Sequence, residues 1–164
     1  MDTLAAMPRS RLLAPIALLL AASTLVLALA GCAPSPPERT SREENFREPE
    51  TPPEFHPDGT AEDNLPYFNE TLRQFGLSKS TVAGEPVVNT LAAAGFDKSK
   101  MQVSFDESKT NLVADNIFVS VRFGEDCLIG QVIVADRSFA AEVAPAVGPD
   151  KDICLIGTTR AIDW

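Results

Sequence analysis

Two helical stripes, a switch to strand-like alternation after Gly95, and a pair of downstream cysteines predict an α+β domain. The expected form is two N-terminal helices packed on a small antiparallel sheet of three to four strands, closed by one disulfide.

The first helix is read in AEDNLPYFNETLRQFGL, residues 61–77, where Leu65, Phe68, Leu72 and Phe75 fall on one face. Asp63 or Asn64 is expected to cap its start, Pro66 to sit in its first turn and Gly76 to end it. The second helix is read in EPVVNTLAAAGF. Pro86 suits a first helical position, Val87, Leu91 and Ala94 share a face, and Gly95 is a stop. Such stripes are the ordinary mark of a core, not of a cofactor site.

Met101–Phe105 alternates apolar and polar residues, as a half-buried strand does. Asn116–Phe123 repeats the pattern with Ile117, Val119, Val121 and Phe123 on one face. Gly124, Glu125 and Asp126 suit a tight turn into a partner strand at Cys127–Val134. An extended piece is expected at Phe139–Val143, a loop punctuated by Pro145, Gly148 and Pro149, and a last short strand at Ile153–Gly157.

The domain therefore occupies residues 60–164, and the first sixty residues have another character. Residues 12–30 carry no charge, and Arg9 and Arg11 precede them. A basic start, an apolar run and small residues at its end describe an export signal over residues 1–31. Leu29-Ala30-Gly31-Cys32 resembles the lipobox of bacterial lipoproteins. That resemblance implies cleavage between Gly31 and Cys32 and a diacylglyceryl group on the Cys32 sulfur, so the lipid bilayer is the first expected partner. A single fatty chain holds reversibly, at roughly 0.8 kcal/mol per buried CH₂, and two chains approximately double that hold. The competing reading is an uncleaved transmembrane helix, for which residues 12–30 are long enough. Either reading places the domain on the extracytoplasmic face of the cell membrane.

Residues 32–59 hold seven prolines and seven acidic residues. Proline removes backbone donors and like charges repel, so this segment is expected to be a disordered tether. The single histidine of the chain, His56, falls in it.

With Cys32 assigned to lipid, Cys127 and Cys154 remain, each opening the same four letters, CLIG. Outside the cytoplasm two such cysteines are expected to be oxidised. Their bond closes a loop of 28 residues, 127 to 154 inclusive, worth roughly 3–4 kcal/mol by chain entropy. A reactive thiol pair would want a cationic neighbour, whereas Glu125 and Asp126 precede Cys127.

The segments AAAGFDKSKMQVSFD, SVRFGEDCLIGQ and CLIGTTRAIDW resemble an uncharacterised family of actinobacterial lipoproteins and secreted proteins, over approximately residues 80–164. The resemblance implies export, the cysteine pair and a Gram-positive setting. It implies no catalytic residue.

The net charge of −9 becomes −10 without residues 1–31, which hold two arginines and one aspartate. Nucleic acid is excluded as a partner, because phosphate attraction needs clustered Lys and Arg. Serine hydrolysis lacks an ordered histidine, zinc lacks ligands, and no phosphate-binding glycine motif is present. No catalytic constellation, metal site or cofactor is expected. Acid pairs stand at Glu125-Asp126, Asp106-Glu107 and Asp150–Asp152, each in a predicted turn. The most site-like piece is Thr158–Trp164, with Arg160, Asp163 and Trp164 as a candidate binding surface. The competing account has Ile162 and Trp164 covering an open edge of the core while Arg160 pairs with Asp163 or a neighbour. Two functions follow as expectations. One is a non-enzymatic envelope module that binds a wall polymer or an exported protein; the alternative is a small wall hydrolase with a carboxylate pair.

Overall fold

The protein's structure, a computed structural model, describes residues 42–164. The signal segment, Cys32 and residues 33–41 lie outside the described residues. After a short helix α1 (Arg42–Asn45) come α2 (Ala61–Leu77) and α3 (Gly84–Ala93). A 3₁₀ turn at Lys98–Lys100 then leads into β1 (Met101–Val103), β2 (Asn116–Phe123), β3 (Asp126–Ile133) and β4 (Phe139–Pro145). The strands form one antiparallel meander in the order β1-β2-β3-β4. The α+β expectation holds. The two long helices precede the sheet but begin sixty residues into the chain, so they are not at its amino terminus.

One face of the sheet makes the core. Ile117, Val119 and Val121 stand opposite Val132, Gly130 and Leu128, and all of these apolar side chains are buried. Phe68, Leu72 and Phe75 of α2 and Val87, Val88 and Leu91 of α3 close over them. Each such side chain contributes about 1.5–3 kcal/mol by leaving water. Gly130 lets α2 approach: a Cβ there would lie 2.8 Å from Leu72 Cδ1 and 3.0 Å from the Phe68 ring.

The helix ends differ from expectation. Thr60, not Asp63 or Asn64, caps α2. Its Oγ1 accepts the Asp63 N–H while Asp63 Oδ2 accepts the Thr60 N–H, a reciprocal box. Pro66 therefore sits in the second turn, on an exposed face where water can serve the carbonyl left unpaired. Gly76 does not end the helix. It is buried where a Cβ would overlap the Phe46 ring, and Leu77 is the last helical residue. Arg137 reaches the carbonyls of Phe75, Gly76 and Ser80 there, which puts a cation at the negative end of the helix. Pro86 is the third residue of α3, which starts at Gly84.

The expected strand at Ile153–Gly157 is absent. That segment joins neighbours through a single bridge, Val147 to Ile153. Its backbone is served by a side chain instead: Gln102 Oε1 accepts the N–H groups of Cys154 and Leu155, each at 2.9 Å. The disulfide Cys127–Cys154 supplies the second tie, with Cα atoms 5.7 Å apart. The two CLIG copies thus serve different ends. Gly130 lies under α2, whereas Gly157 is in a loop at φ +113°, a value suited to glycine.

The segment expected to be a disordered tether corrects the domain boundary. Residues 45–59 run along the outer side of α2 and belong to the folded unit. Asn45 Nδ2 donates to the Phe139 carbonyl and its Oδ1 accepts the Phe139 N–H. Phe55 packs against Tyr67 and Phe96. Asn64, buried in α2, exchanges two hydrogen bonds with the backbone of His56. Prolines keep this strap extended, and its two phenylalanines and the polar clasps at each end supply what composition alone does not reveal. Among the described residues, no helix is long and apolar enough to cross a membrane.

Candidate binding face

The face of the sheet away from the helices is only partly covered. Period-two alternation sends Gln102, Phe118, Ser120, Cys127 and Ile129 to this side. The disulfide pulls residues 146–157 across one half of it, burying Cys127, Ala146 and Cys154 together. Ser120 is buried here, and its Oγ has no hydrogen-bond partner among the described residues.

Where the covering loop ends, an apolar groove of about 350 Å³ opens between Phe118, Ile129, Leu155 and Ile156, with Ser104 and Thr158 at its rim. Ile156 is 91% exposed and Phe118 39%. A second, smaller depression continues from Phe118 and Ile129 over Gln131 to Ala140 and Glu142 of β4. These two depressions form one path from the disulfide loop to the sheet edge. Exposed apolar surface of this kind costs solubility, and a contiguous patch of it marks a contact site.

Ile162 and Trp164 pack against the core as the competing account expected, but Arg160 pairs with Asp106 and not with Asp163. The Arg160 N–H donates to the Val103 carbonyl, sealing the outer edge of β1. Arg160 Nη1 lies 2.7 Å from Asp106 Oδ2, and its guanidinium stacks 4.6 Å from the Trp164 ring. Trp164 Nε1 donates to Asn89 Oδ1, and Lys98 Nζ donates to the Trp164 carbonyl. Arg160 and Trp164 therefore come together, but their polar groups are already partnered with the fold. Asp163 is exposed, and the acid that Arg160 meets is Asp106.

The acid pairs divide. Glu125 and Asp126 line a cavity of about 500 Å³ beside the start of α2, together with Asp58, Asp97, Lys100 and Arg122. Asp97 is held below the usual carboxylate range by hydrogen bonds from the Ser99 hydroxyl and N–H. Asp106 is engaged by Arg160 and by the Gly84 N–H. Asp150 and Asp152 flank Lys151 in an exposed turn. Among the described residues, no three His, Cys, Asp or Glu side chains gather where they would hold a metal ion.

Sequence reasoning missed the apolar face. Its signal was present: Phe118 and Ile129 put large apolar side chains on the face opposite to the core positions of their strands. Which of those positions the 146–157 loop would cover is a matter of tertiary structure.

No curated protein and no solved structure matches the chain. A family model described as a domain of unknown function, DUF6993, matches residues 72–158, from the middle of α2 through the second CLIG. The match leaves out the last six residues, with Arg160 and Trp164. It spans more than half of the sequence, and the chain belongs to the DUF6993 family.

Proposed function

We propose that this protein is an exported, lipid-anchored binding module without enzymatic activity, which engages another exported protein through the apolar face of its sheet. The observation that carries the reading is the groove at Phe118, Ile129, Leu155 and Ile156, held open by a disulfide-tied loop. The anchor rests on Leu29-Ala30-Gly31-Cys32 at the end of the apolar run. Because the strap packs on the domain, only residues 33–41 separate Cys32 from the described residues, and nine residues span at most about 30 Å. The domain then works close to the bilayer, and the extracytoplasmic face of the membrane is its place of action. Mass spectrometry of the native N-terminal peptide tests the anchor; an unmodified Cys32 overturns it. A photocrosslinker at position 156, used in the native envelope, tests the groove. A discrete partner trapped there, and not from the exposed turn at position 151, supports the reading.

A second reading is favoured by the four carboxylates around the cavity at the β2–β3 turn. It makes the protein a small wall hydrolase that uses Glu125 and Asp126. Release of soluble fragments from purified wall, lost in Glu125→Gln or Asp126→Asn, supports it and displaces the first.

A further inference from the structure

The hydrogen-bond phase of the meander shows which backbone groups leave the sheet. Ile133 N–H donates to the Ser138 carbonyl at one end of the β3–β4 ladder, and Ala146 N–H to the Glu125 carbonyl at the other. With the register Cys127↔Ala144, Ile129↔Glu142 and Gln131↔Ala140, the even-numbered residues of β4 bond to β3. Phe139, Ala141, Val143 and Pro145 therefore turn their backbones outward.

The protein closes most of its edges. The Arg160 N–H covers the Val103 carbonyl on β1. On β4, the Asn45 side-chain amide mimics a passing strand by bonding both backbone groups of Phe139. Pro145 has no N–H to offer. That leaves Ala141 and Val143, whose outward N–H and C=O groups no described residue meets. Two alternate residues with free donors and acceptors are the template for an added strand.

We propose that β4 receives an extended peptide of a partner protein as a fifth, antiparallel strand, and that the peptide reads apolar-basic-apolar. The proposal rests on the binding-module reading above and names how the partner is held. Partner residues opposite Ala141 and Val143 exchange hydrogen bonds with them, and their side chains fall on the helix side, beside the apolar side chains of those two residues. The partner residue between them stands opposite Glu142, which is exposed on the other face, in the close-spaced, non-bonded position. A lysine or arginine there neutralises Glu142. The same geometry argues against a second copy of this chain: an antiparallel pairing that matches Ala141 with Val143 sets Glu142 directly against Glu142. The added strand also lies at the end of the depression running from Phe118 to Glu142, so an anchor on the partner can continue into the groove.

The test uses the full chain in detergent micelles and two synthetic probes, Thr-Val-Lys-Val-Thr and Thr-Val-Glu-Val-Thr, followed through the amide NMR signals of Ala141 and Val143. The lysine probe is expected to shift both signals and to bind roughly fivefold tighter than the glutamate probe, with the preference reversed in Glu142→Lys. Val143→Pro removes an outward N–H and leaves the β3 ladder whole; it is expected to weaken the lysine probe roughly tenfold. No shift at about 5 mM lysine probe, or equal binding of both probes to the parent chain and to Glu142→Lys, overturns the proposal. A native partner crosslinked at position 156 that survives Val143→Pro but is lost in Ile156→Asp overturns strand addition and keeps the groove. Probe binding at the edge with no partner ever trapped at position 156 overturns the groove and keeps the edge.

Discussion

Arg160 and Asp106 meet at 2.7 Å, and the second oxygen of the same carboxylate accepts the Gly84 N–H at 2.6 Å. One side chain thereby caps α3, whose own N-cap residue, Ala83, offers no side-chain acceptor, and also holds the C-terminal segment against β1. Both partners are about a third exposed, so the ion pair itself is worth less than about 1 kcal/mol. The cap is the larger part. Asp106→Ala is expected to cost about 1–2 kcal/mol, and Arg160→Ala no more than about 1 kcal/mol, in urea denaturation. Equal losses from the two would show that the pair, not the cap, dominates.

Gly130 allows α2 to rest on the sheet. Gly130→Ala places a methyl 2.8 Å from Leu72 Cδ1 and against the Phe68 ring, both in the fully buried core. Overpacking there is expected to cost about 1–3 kcal/mol, read as a lower urea midpoint at unchanged slope.

The disulfide holds the loop that shapes the groove. Reduction, or Cys154→Ser, is expected to cost about 2–5 kcal/mol. It should also make residues 146–157 the first site of proteolytic nicking, since Gln102 and the Ala146–Glu125 backbone bond are then the main ties left. A loop that stays resistant after reduction would assign its order to those hydrogen bonds.

Phe55 and Asn45 clasp the strap to the domain. A plain tether predicts no effect from changing them. Packing on Tyr67 and Phe96 instead predicts that Phe55→Ala lowers stability by about 1–3 kcal/mol, discounted from a fully buried phenylalanine because the ring is only half-buried. Thermal unfolding of the two chains decides between these outcomes.

Acid weakens the fold through three carboxylates. Glu70 is held below its ordinary range chiefly by hydrogen bonding from Arg73, Asp63 by Thr60 and Asp97 by Ser99. Groups with depressed folded-state values contribute stability that is fully present above the unfolded carboxylate range and is lost as pH falls through the lowered values. The urea midpoint is therefore expected to be level near neutrality and to fall below about pH 4. Glu70→Gln should flatten that fall, and a midpoint that rises on acidification would contradict the assignment.

Local pattern made much of this fold legible. The three- and four-residue spacing of Phe68, Leu72 and Phe75 fixes a helix, and alternation through Ile117–Phe123 fixes a strand, because each motif reports which face meets the core. The capping box at Thr60 and Asp63 is equally readable in the letters TAED, although the expected cap was Asp63 or Asn64. The absent last strand was not readable. Ile153–Gly157 has a strand's composition, but its backbone partners are a glutamine side chain fifty residues away and a disulfide.

By itself the sequence determined the order of helices before strands, the apolar face that becomes the core, and the pairing of Cys127 with Cys154. The first two follow from periodicity, and the pairing follows once Cys32 is set aside as the expected lipid site. Only the tertiary structure decided that residues 45–59 are a strap, that Arg160 serves Asp106, and that no described residue covers the β4 edge at Ala141 and Val143. Each of these depends on distant groups meeting in space, and a hydrogen bond or a covered edge leaves no period along the chain.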